Sequence, residues 1–239
     1  MVLGVIPARY GSTRFPGKPL APILGRPMIQ WVYEGARTAT RLHRLIVATD
    51  DERILAAVRG FGAEAIMTSP DCPSGTDRAG QVAEQIPAAI IVNIQGDEPL
   101  LRGAALDALI QALETSDAPM ASLMARAADP AVFRDPGVVK VVVSHDGDAL
   151  YFSRSPVPSS YSDYFYRHIG IYAYRRDFLR RFRSWPPSRL EKAERLEQLR
   201  ALENGAHIRM VEADVPALSV DNPDDIIKVE DFLRKHGHG

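Results

Sequence analysis

The chain lacks several features that would place it in common protein classes. Its 239 residues include one cysteine, Cys72, so no internal disulfide can form, and a lone thiol suits a reducing compartment. No apolar run reaches the roughly 20 residues that a membrane-spanning helix needs, so we expect no membrane span. The N-terminus passes straight into a predicted strand, without the cationic segment and cleavage site of a targeting peptide. These absences predict a cytoplasmic protein.

The chain also lacks an excess of charge of either sign. Its formal net charge is −1, from 29 Lys and Arg against 30 Asp and Glu. Because proteins that bind nucleic acids usually carry a basic surface, we expect no nucleic-acid partner. Hydrophobic residues form 46% of the chain and charged residues 25%, which is typical of a globular protein with one sizeable core.

Two common nucleotide-binding motifs are absent. No GxGxxG is present, which argues against a dinucleotide-binding oxidoreductase. The Walker motif requires Ser or Thr after its Lys, whereas Lys18 is followed by Pro19. No Ser/His/Asp arrangement or activated cysteine is visible either, so the sequence does not call for a covalent intermediate.

What the sequence does contain is a basic, glycine-containing loop after the first predicted strand, residues 2–6. The segment from residue 6 to residue 20 reads IPARYGSTRFPGKPL and carries the cations Arg9, Arg14 and Lys18. Glycines let backbone N–H groups approach phosphate, while Arg and Lys neutralise its charge. Cations this close together repel one another unless an anion joins them. The loop therefore predicts a polyphosphate site.

Predicted strands and helices alternate along the chain, which favours an α/β fold with a mostly parallel sheet. Strands are predicted at residues 2–6, 45–48, 66–67, 90–94, 120–124, 138–143, 167–174 and 208–211. One helix is predicted to begin at residue 27, and others are predicted at residues 54–61, 189–203 and 224–235. We interpret the pattern as one Rossmann-like domain, residues 1–239, with an inserted region at about residues 144–202.

Two acidic residues are candidate metal ligands. In an open parallel sheet, ligands bind beyond the carboxyl ends of the strands, and Asp97 follows the strand predicted at residues 90–94. Mg²⁺ in nucleotide enzymes is held by one or two carboxylates together with phosphate oxygens and water. Asp221 precedes the last predicted helix, so it can be either a second ligand or the cap of that helix.

A second loop, SGTDR at residues 74–78, precedes another predicted helix. Gly75 permits a base or ribose to approach the backbone closely. Thr76 or Asp77 can instead simply cap the helix. Arg78 can brace the loop or touch the nucleotide.

Seven segments, these two loops among them, resemble the motifs of the 3-deoxy-manno-octulosonate (Kdo) cytidylyltransferases, the CMP-Kdo synthetases. The first loop resembles the nucleotidyltransferase signature of that family. The other matching motifs are SGTDR at 74–78, QGDEP at 95–99, YFSR at 151–154, HIGIY at 168–172, LEQLR at 196–200 and VDNPDD at 220–225. They occur in the family's order and span nearly the whole chain.

The resemblance implies a glycosyltransferase-A-like nucleotidyltransferase that moves CMP from CTP to the anomeric hydroxyl of Kdo. Pyrophosphate would be released, and the product would serve lipopolysaccharide biosynthesis. It implies Mg²⁺ as cofactor and a homodimer, with the inserted region serving sugar binding and dimer formation.

The resemblance also assigns roles to individual residues. Catalytic roles fall on Arg9, Arg14, Lys18 and Asp97, and metal ligation on Asp97 and Asp221. Nucleotide contacts are expected at Pro7, Ala8, Arg9, Gly11, Ser12, Lys18, Ser74, Gly75, Thr76, Arg78 and Gln95. Sugar contacts are expected at Gln95, Arg154, His168, Tyr172, Glu197 and Gln198.

Alternatives remain open on the sequence alone. Residues 159–166, near the expected sugar pocket, are rich in Ser and Tyr, so 8-amino-Kdo or a sialic-type acid is an alternative acceptor. A non-catalytic nucleotide-binding regulator is a further alternative, against which the pair Asp97 and Asp221 argues. His168 can be a satisfied core histidine, and Glu197 can be a solvated residue of the helix predicted at 189–203.

Overall fold

The computed structural model describes residues 1–11, 15–216 and 218–236. Strands and helices alternate through the first half of the chain. They are β1 Val2–Ala8, β2 Pro22–Ile23, β3 Arg26–Pro27, α1 Met28–Arg37, β4 Arg44–Thr49, α2 Glu52–Gly60, β5 Ala65–Met67, α3 Gly75–Gln85, β6 Ile90–Asn93 and α4 Gly103–Thr115. A short 3₁₀ turn, Lys18–Leu20, lies between β1 and β2.

The second half begins with strands and ends with a helix. Its elements are β7 Met120–Ala127, α5 Pro130–Arg134, β8 Lys140–Val143, β9 Ala149–Ser153, β10 Phe165–Arg175, α6 Arg176–Ser184, α7 Arg189–Glu194, α8 Leu199–Glu203, β11 Ile208–Glu212 and α9 Pro223–His236. No helix within the described ranges is long and apolar enough to cross a membrane.

The chain forms two compact units. The first comprises Met1–Asp107 and Val215–Gly239. Its sheet is fully parallel in the order β6-β1-β4-β5, with β1 paired on both sides. Leu3, Val5 and Ile6 of β1 are fully buried. A continuous apolar strand is what a parallel sheet covered on both faces requires.

A hydrophobic cluster in this unit fixes the C-terminal segment against the first third of the chain. Its buried members are Ile23, Met28, Trp31, Leu100, Val220, Val229 and Leu233. The indole N–H of Trp31 donates to the carbonyl of Ile23 at 2.9 Å, so its polar atom is satisfied inside the cluster. The segment just before α9 is thereby held in place by packing.

The second unit, Ala108–Asp214, contains a mixed sheet. Strand β7 pairs in parallel with β11 and antiparallel with β10, while β10 pairs with β8 and β8 with β9 in antiparallel fashion. The register between β7 and β10 shifts between Ile169 and Tyr172. The buried hydroxyl of Ser122 donates to the carbonyl of Ile171 at 2.9 Å, which satisfies the irregular stretch.

The structure confirms the α/β class, and each strand predicted from the sequence overlaps an observed strand. The single helix predicted at residues 189–203 is wrong. Arg195 adopts φ 56° and ψ 47°, a left-handed conformation that a right-handed helix cannot continue, so α7 ends at Glu194. Glu197 and Gln198 therefore lie between α7 and α8 rather than on one helix. The insertion at about residues 144–202 stays a prediction.

Close packing of α1 generates a test of the first unit. An added Cβ at Gly35 would lie 2.2 Å from the carbonyl oxygen of Leu101, whereas one at Gly60 in α2 would meet nothing within 4 Å. Helix propensity alone favours Ala at both positions by up to about 1 kcal/mol. We expect Gly35→Ala to lower the free energy of unfolding by about 1–3 kcal/mol because backbone must shift.

Gly60→Ala is the matched control and should be neutral or stabilising. Urea denaturation of both variants checks the pair. Equal stability of the two variants would contradict the packing of α1 on Leu101.

Candidate active site

A cavity in the first unit gathers three predicted segments. The end of β1 and the loop after it, the residues around the start of α3 and the residues after β6 all line it. The predicted site residues among them are Pro7, Ala8, Arg9, Lys18, Ser74, Gly75, Arg78, Gln95 and Asp97. Pro19, Cys72, Pro73 and Gly96 also line the cavity and were not predicted.

The loop after β1 closes on itself before it reaches Lys18. The N–H of Gly17 donates to the carbonyl of Tyr10 at 2.9 Å. Gly17 has φ +72°, and a Cβ there would lie 3.1 Å from the Tyr10 ring, so this position favours glycine. The guanidinium of Arg53 stacks 3.3 Å from the centre of the same ring. The loop is thus fixed at the residue that precedes Lys18.

Three further residues of this loop, Gly11, Ser12 and Arg14, were predicted to act in the site. Gly11 is exposed and does not line the cavity. The predicted nucleotide contact Ser12 and the predicted catalytic Arg14 lie outside the described residues, so both stay predictions.

Lys18 joins three segments that are far apart in the sequence. Its ammonium donates to Asp97 Oδ2 at 2.8 Å and to the carbonyl of Val220 at 2.8 Å. The N–H of Val220 in turn donates to the carbonyl of Asp97 at 3.0 Å. Asp221 follows Val220 directly, so both predicted metal ligands belong to segments that these hydrogen bonds connect.

The turn before α9 is capped by Asp225. One oxygen of its carboxylate, Oδ2, accepts the N–H groups of Asp221 at 3.1 Å and Asn222 at 3.0 Å. Burial raises the pKa of Asp225, but the ammonium of Lys228 and these two N–H groups outweigh burial and lower it overall. Asp221 therefore donates its own N–H to Asp225 in this turn, and the role of its carboxylate, as metal ligand or as cap, stays a prediction.

The SGTDR segment enters α3 earlier than predicted. Ser74 is the N-cap, and its Oγ accepts the N–H of Asp77 at 3.1 Å, so neither Thr76 nor Asp77 is the cap. Thr76 is buried against Asn93, whose Nδ2 donates to the Thr76 hydroxyl at 3.3 Å, and Thr76 does not line the cavity.

Arg78 takes the bracing role that the sequence offered, while its contact with the nucleotide stays a prediction. Its guanidinium is buried and donates to Asp50 Oδ2 at 2.7 Å and to the Thr68 hydroxyl. These contacts brace the start of α3 against the residues that follow β4 and β5. Arg78 also lines the cavity.

In the second unit, three predicted sugar-binding residues come together. The rings of His168 and Tyr172 on β10 lie 5.5 Å apart. The Tyr172 hydroxyl donates to Gln198 Oε1 at 3.2 Å. Gln198 is 3% exposed, and within the described part of the chain its Nε2 has no hydrogen-bond partner. A buried amide N–H without a partner is a group that a polar ligand can satisfy.

The protonation state of His168 follows from its neighbours. Its Nε2 lies 2.8 Å from Ser122 Oγ, and that hydroxyl donates to the carbonyl of Ile171. We therefore assign the proton to Nε2, which donates to Ser122 and leaves Nδ1 as an acceptor. Burial lowers the pKa of His168 to about 3, so the ring is neutral at pH 7.

Two further predicted sugar-binding residues are held by ion pairs or main-chain groups. Glu197 lies 3.7 Å from the guanidinium of Arg200. Burial raises the pKa of the Tyr172 hydroxyl, and the charge of Glu197 raises it further, so the hydroxyl stays protonated.

Arg154 donates through Nε to the carbonyl of Glu194 at 3.0 Å. Gln95 belongs to the first unit, where it lines the cavity.

Comparison with known proteins places the chain in a family. A cytidylyltransferase family model matches residues 3–209. A 3-deoxy-manno-octulosonate cytidylyltransferase of Solibacter usitatus is 52% identical, with 98% of this chain and 94% of that protein covered. The enzyme of that name from Syntrophotalea carbinolica is 49% identical, with 98% of each covered. The chain belongs to the 3-deoxy-manno-octulosonate cytidylyltransferase family.

A solved structure agrees with this family over the full length. A CMP:2-keto-3-deoxy-manno-octonic acid synthetase, solved in complex with CTP, is 44% identical and covers 99% of both chains with a TM-score of 0.94. As a family member, the chain is a CTP-dependent nucleotidyltransferase. The cavity residues that the resemblance assigned to the nucleotide are Pro7, Ala8, Arg9, Lys18, Ser74, Gly75, Arg78 and Gln95.

The acidic residues of this cytidylyltransferase fit a magnesium ion only in part. Within residues 1–11, 15–216 and 218–236, no group of three or more His, Cys, Asp or Glu is arranged to hold a metal. Asp97 and Asp221 alone would leave most positions of an octahedral ion open. Mg²⁺ tolerates this when substrate phosphates and water complete its ligands, so the two carboxylates suit an ion that arrives with a nucleotide.

Sequence reasoning missed three residues that shape these sites. A Cβ at Gly96 would lie 3.0 Å from the carbonyl oxygen of Pro7, so glycine lets the turn after β6 pass close to β1. Lys140 is a fully buried cation, and Glu194 accepts hydrogen bonds from the Arg154 segment. The lysine within the apolar run VVKVVV was a usable signal, whereas nothing distinguished Glu194 from its acidic neighbours.

The neutral state of His168 makes a prediction about pH. Because its folded pKa is depressed to about 3, it stabilises the fold above the unfolded pKa of about 6.5. That contribution is lost as the pH falls from about 6.5 toward 3. His168→Gln should therefore remove up to about 1.4 kcal/mol per pH unit from the pH dependence of unfolding between pH 6 and 4.

Urea denaturation of wild type and variant across this range checks the difference. The His168 ring signals should also not titrate between pH 8 and 5 in NMR spectra. Parallel stability curves for the two proteins would show that the ring is protonated as readily in the fold as in the unfolded chain.

Proposed function

We propose that the chain transfers CMP from CTP to the anomeric hydroxyl of Kdo and releases pyrophosphate. The observation that carries this proposal is the set of hydrogen bonds around Lys18, which links the Asp97 turn to the segment of Asp221. These groups border a cavity lined by the basic first loop and by the start of α3. Family membership supports CTP and Kdo as the substrates.

On the nucleotide side, the chain's own residues bind and orient the triphosphate. Arg9 and Lys18 line the cavity and offset the negative charge of the phosphates, and Arg14 is proposed to do the same. When bound, Mg²⁺ would neutralise phosphate charge and favour ionisation of the attacking hydroxyl, and Asp97 and Asp221 would hold it. Positioning and charge neutralisation carry most of the catalysis in phosphoryl-type transfers, so no covalent intermediate is required.

On the sugar side, the polar groups complement a polyhydroxy acid. The neutral His168 offers Nδ1 as an acceptor for a hydroxyl, and Gln198 Nε2 offers a buried donor. Arg154 supplies a guanidinium for the carboxylate. We propose that Tyr172 positions Gln198 through its hydroxyl and that Glu197 and Gln95 also contact the sugar.

The alternatives carried from the sequence are weaker. A sialic-type acid or 8-amino-Kdo would use the same carboxylate contact, but the relatives at 49–52% identity are Kdo enzymes by name. A regulator that only binds nucleotide would not need the carboxylates of Asp97 and Asp221 to hold a metal ion. The composition of residues 159–166 is the argument for another acceptor, whereas no contact described above favours a regulator.

We further propose that the protein works as a homodimer in the cytoplasm, where its product would enter lipopolysaccharide biosynthesis. The support is family resemblance and the lone cysteine. Light scattering should give a mass near twice the chain's 26.3 kDa. A monomeric mass at micromolar concentration would contradict the dimer.

The reaction itself is tested by pyrophosphate release. We expect turnover only with CTP, Kdo and Mg²⁺ together, much poorer turnover with ATP, and loss of activity with EDTA. A panel of sialic acid, 8-amino-Kdo and Kdo separates the acceptors. Equal turnover with ATP, or activity that EDTA leaves unaffected, would reject the proposal.

The assignment of Asp221 as a metal ligand is tested by comparing its substitution with that of the neighbouring Asp225. Asp221→Asn keeps the side chain's shape but loses the charge that holds a hard cation, so we expect kcat/KM to fall by about 10²–10³-fold, or roughly 2.7–4 kcal/mol. Asp225→Asn is the matched control. It keeps an acceptor for the turn, since Asn caps nearly as well as Asp, and should lower stability slightly without a comparable loss of rate.

A double-mutant cycle tests whether Asp97 and Asp221 act on the same metal ion. If Asp97 and Asp221 hold one ion, Asp97→Asn and Asp221→Asn should each lose most activity, and the double variant should be little worse. The measurement is kcat/KM across a Mg²⁺ titration. Fully additive losses with unchanged Mg²⁺ dependence would remove Asp221 from the site.

A further inference from the structure

Lys140 in β8 is a fully buried cation surrounded by main-chain carbonyls. Its Nζ donates to the carbonyl oxygens of Asp135 at 2.9 Å, Val138 at 2.6 Å and Arg154 at 2.6 Å. A lysine ammonium has three N–H donors, so these carbonyls use all of them. Burying a charge is costly unless its hydrogen bonds are made, and here each one is. The surroundings of Lys140 therefore hold the Arg154 carbonyl in one place.

Glu194, the last residue of α7, holds the same residue from the other side. Its Oε2 accepts the main-chain N–H of Arg154 at 2.9 Å, and its Oε1 accepts the Ser153 hydroxyl at 2.8 Å. Its own carbonyl, which has no partner inside the helix, accepts Arg154 Nε at 3.0 Å. Burial raises the pKa of Glu194, but the hydrogen bonds from Arg154, Ser153 and Tyr151 outweigh burial and keep it ionised.

Arg154 is thus held at both main-chain polar groups and at two nitrogens of its guanidinium. Nε is bound by the Glu194 carbonyl, and Nη1 by the Pro136 carbonyl at 3.1 Å. None of these contacts uses Nη2. Because the guanidinium is a rigid plane, fixing two of its nitrogens also fixes the direction of the remaining donors.

We propose that Lys140 and Glu194 are positioning residues for recognition of the sugar acid. They fix the place and orientation of the Arg154 guanidinium without contacting the substrate. The inference rests on the proposed function, in which Arg154 pairs with the sugar's carboxylate. Pairing of Arg with a carboxylate depends on the direction of its donors, so releasing Arg154 weakens sugar binding and leaves CTP binding intact.

The experiment compares Glu194→Gln and Lys140→Met with Arg154→Ala in initial-rate kinetics. A glutamine at position 194 replaces one acceptor oxygen by an NH₂ group, which would face groups that donate to Glu194. A methionine at position 140 keeps the length of the side chain but removes every hydrogen-bond donor. We expect KM for Kdo at saturating CTP to rise about tenfold or more in Arg154→Ala and about threefold to thirtyfold in the other two. KM for CTP should stay within about twofold in all three.

Glu203→Gln is the matched control. Glu203 also accepts a main-chain N–H of α7, that of Leu190 at 2.9 Å, but it does not contact Arg154. Its KM for Kdo should equal that of the wild type. A rise in this variant as large as that of Glu194→Gln would show that loosening α7 alone is sufficient, which overturns the inference.

The decisive readout is the double variant Arg154→Ala with Glu194→Gln. If Glu194 acts through Arg154, this variant has the same KM for Kdo as Arg154→Ala alone. Additive increases overturn the inference, as does an unchanged KM for Kdo in Glu194→Gln. Circular dichroism and thermal melting check folding, and if Lys140→Met does not fold, the Glu194 variants decide alone.

Failure of the proposed function gives a different pattern. A wild-type protein without pyrophosphate release that depends on CTP and Kdo would reject the transferase itself. A wild type that turns over Kdo while Arg154→Ala keeps its KM would leave the transferase standing and overturn both the role of Arg154 and the positioning by Lys140 and Glu194.

Discussion

The arrangement of the nucleotide cavity depends on the ammonium of Lys18. It lies 2.8 Å from a carboxylate oxygen of Asp97 and 2.8 Å from the carbonyl of Val220, residues separated from it by 79 and 202 positions. Both Lys18 and Asp97 are partly shielded from water, so their attraction is screened less than that of an exposed pair. Packing of Val220 in the hydrophobic cluster holds the third segment. Charge and core together therefore bring the acidic residues of two distant turns to one edge of a parallel sheet.

The second unit differs from the first because its predicted sugar-binding groups, His168, Tyr172 and Gln198, are neutral and buried. The shift in register of β10 separates Ile169 from Tyr172, and Ser122 satisfies the carbonyl left over. The same serine fixes the tautomer of His168. Gln198 reaches the cluster because the left-handed Arg195 ends α7 and redirects the chain into α8. If the helix continued through Arg195, the side chain of Gln198 would have a different position and direction.

Much of this could be predicted from the sequence, and the exceptions have physical reasons. Apolar runs such as residues 90–94 predicted the strands because a parallel sheet buries both faces. Helix α6 was missed because four arginines among its nine residues hide the buried Phe178 and Phe182. The break at Arg195 carries no glycine or proline to mark it. Among the site residues, motifs identified Lys18 and Asp97. The cap formed by Asp225 is local, but DNPDD offers more than one acid for it, and the hydrogen bonds that hold Arg154 depend on tertiary contacts.

The chemical role of a residue is also hard to predict from the sequence when it depends on the contacts of the folded chain. An acidic residue in DNPDD can cap or ligate, and the sequence does not decide between Asp221 and Asp225. The structure assigns the cap to Asp225 through two main-chain N–H groups. The apolar run VVKVVV signals that Lys140 is buried, but the sequence does not show which three carbonyls the lysine satisfies. Function therefore rests on residues of two kinds, those that motifs reveal and those that hold them in place.

The most direct test of the account is a crystal structure of the protein with CTP and Mn²⁺, a scattering substitute for Mg²⁺. The account predicts an anomalous peak at about 2.1 Å from a carboxylate oxygen of Asp97 and from one of Asp221, with triphosphate oxygens completing the shell. A peak bound by the triphosphate alone, or one that contacts Asp225 in place of Asp221, would contradict the claim that the Lys18 contacts bring these two acids to one ion.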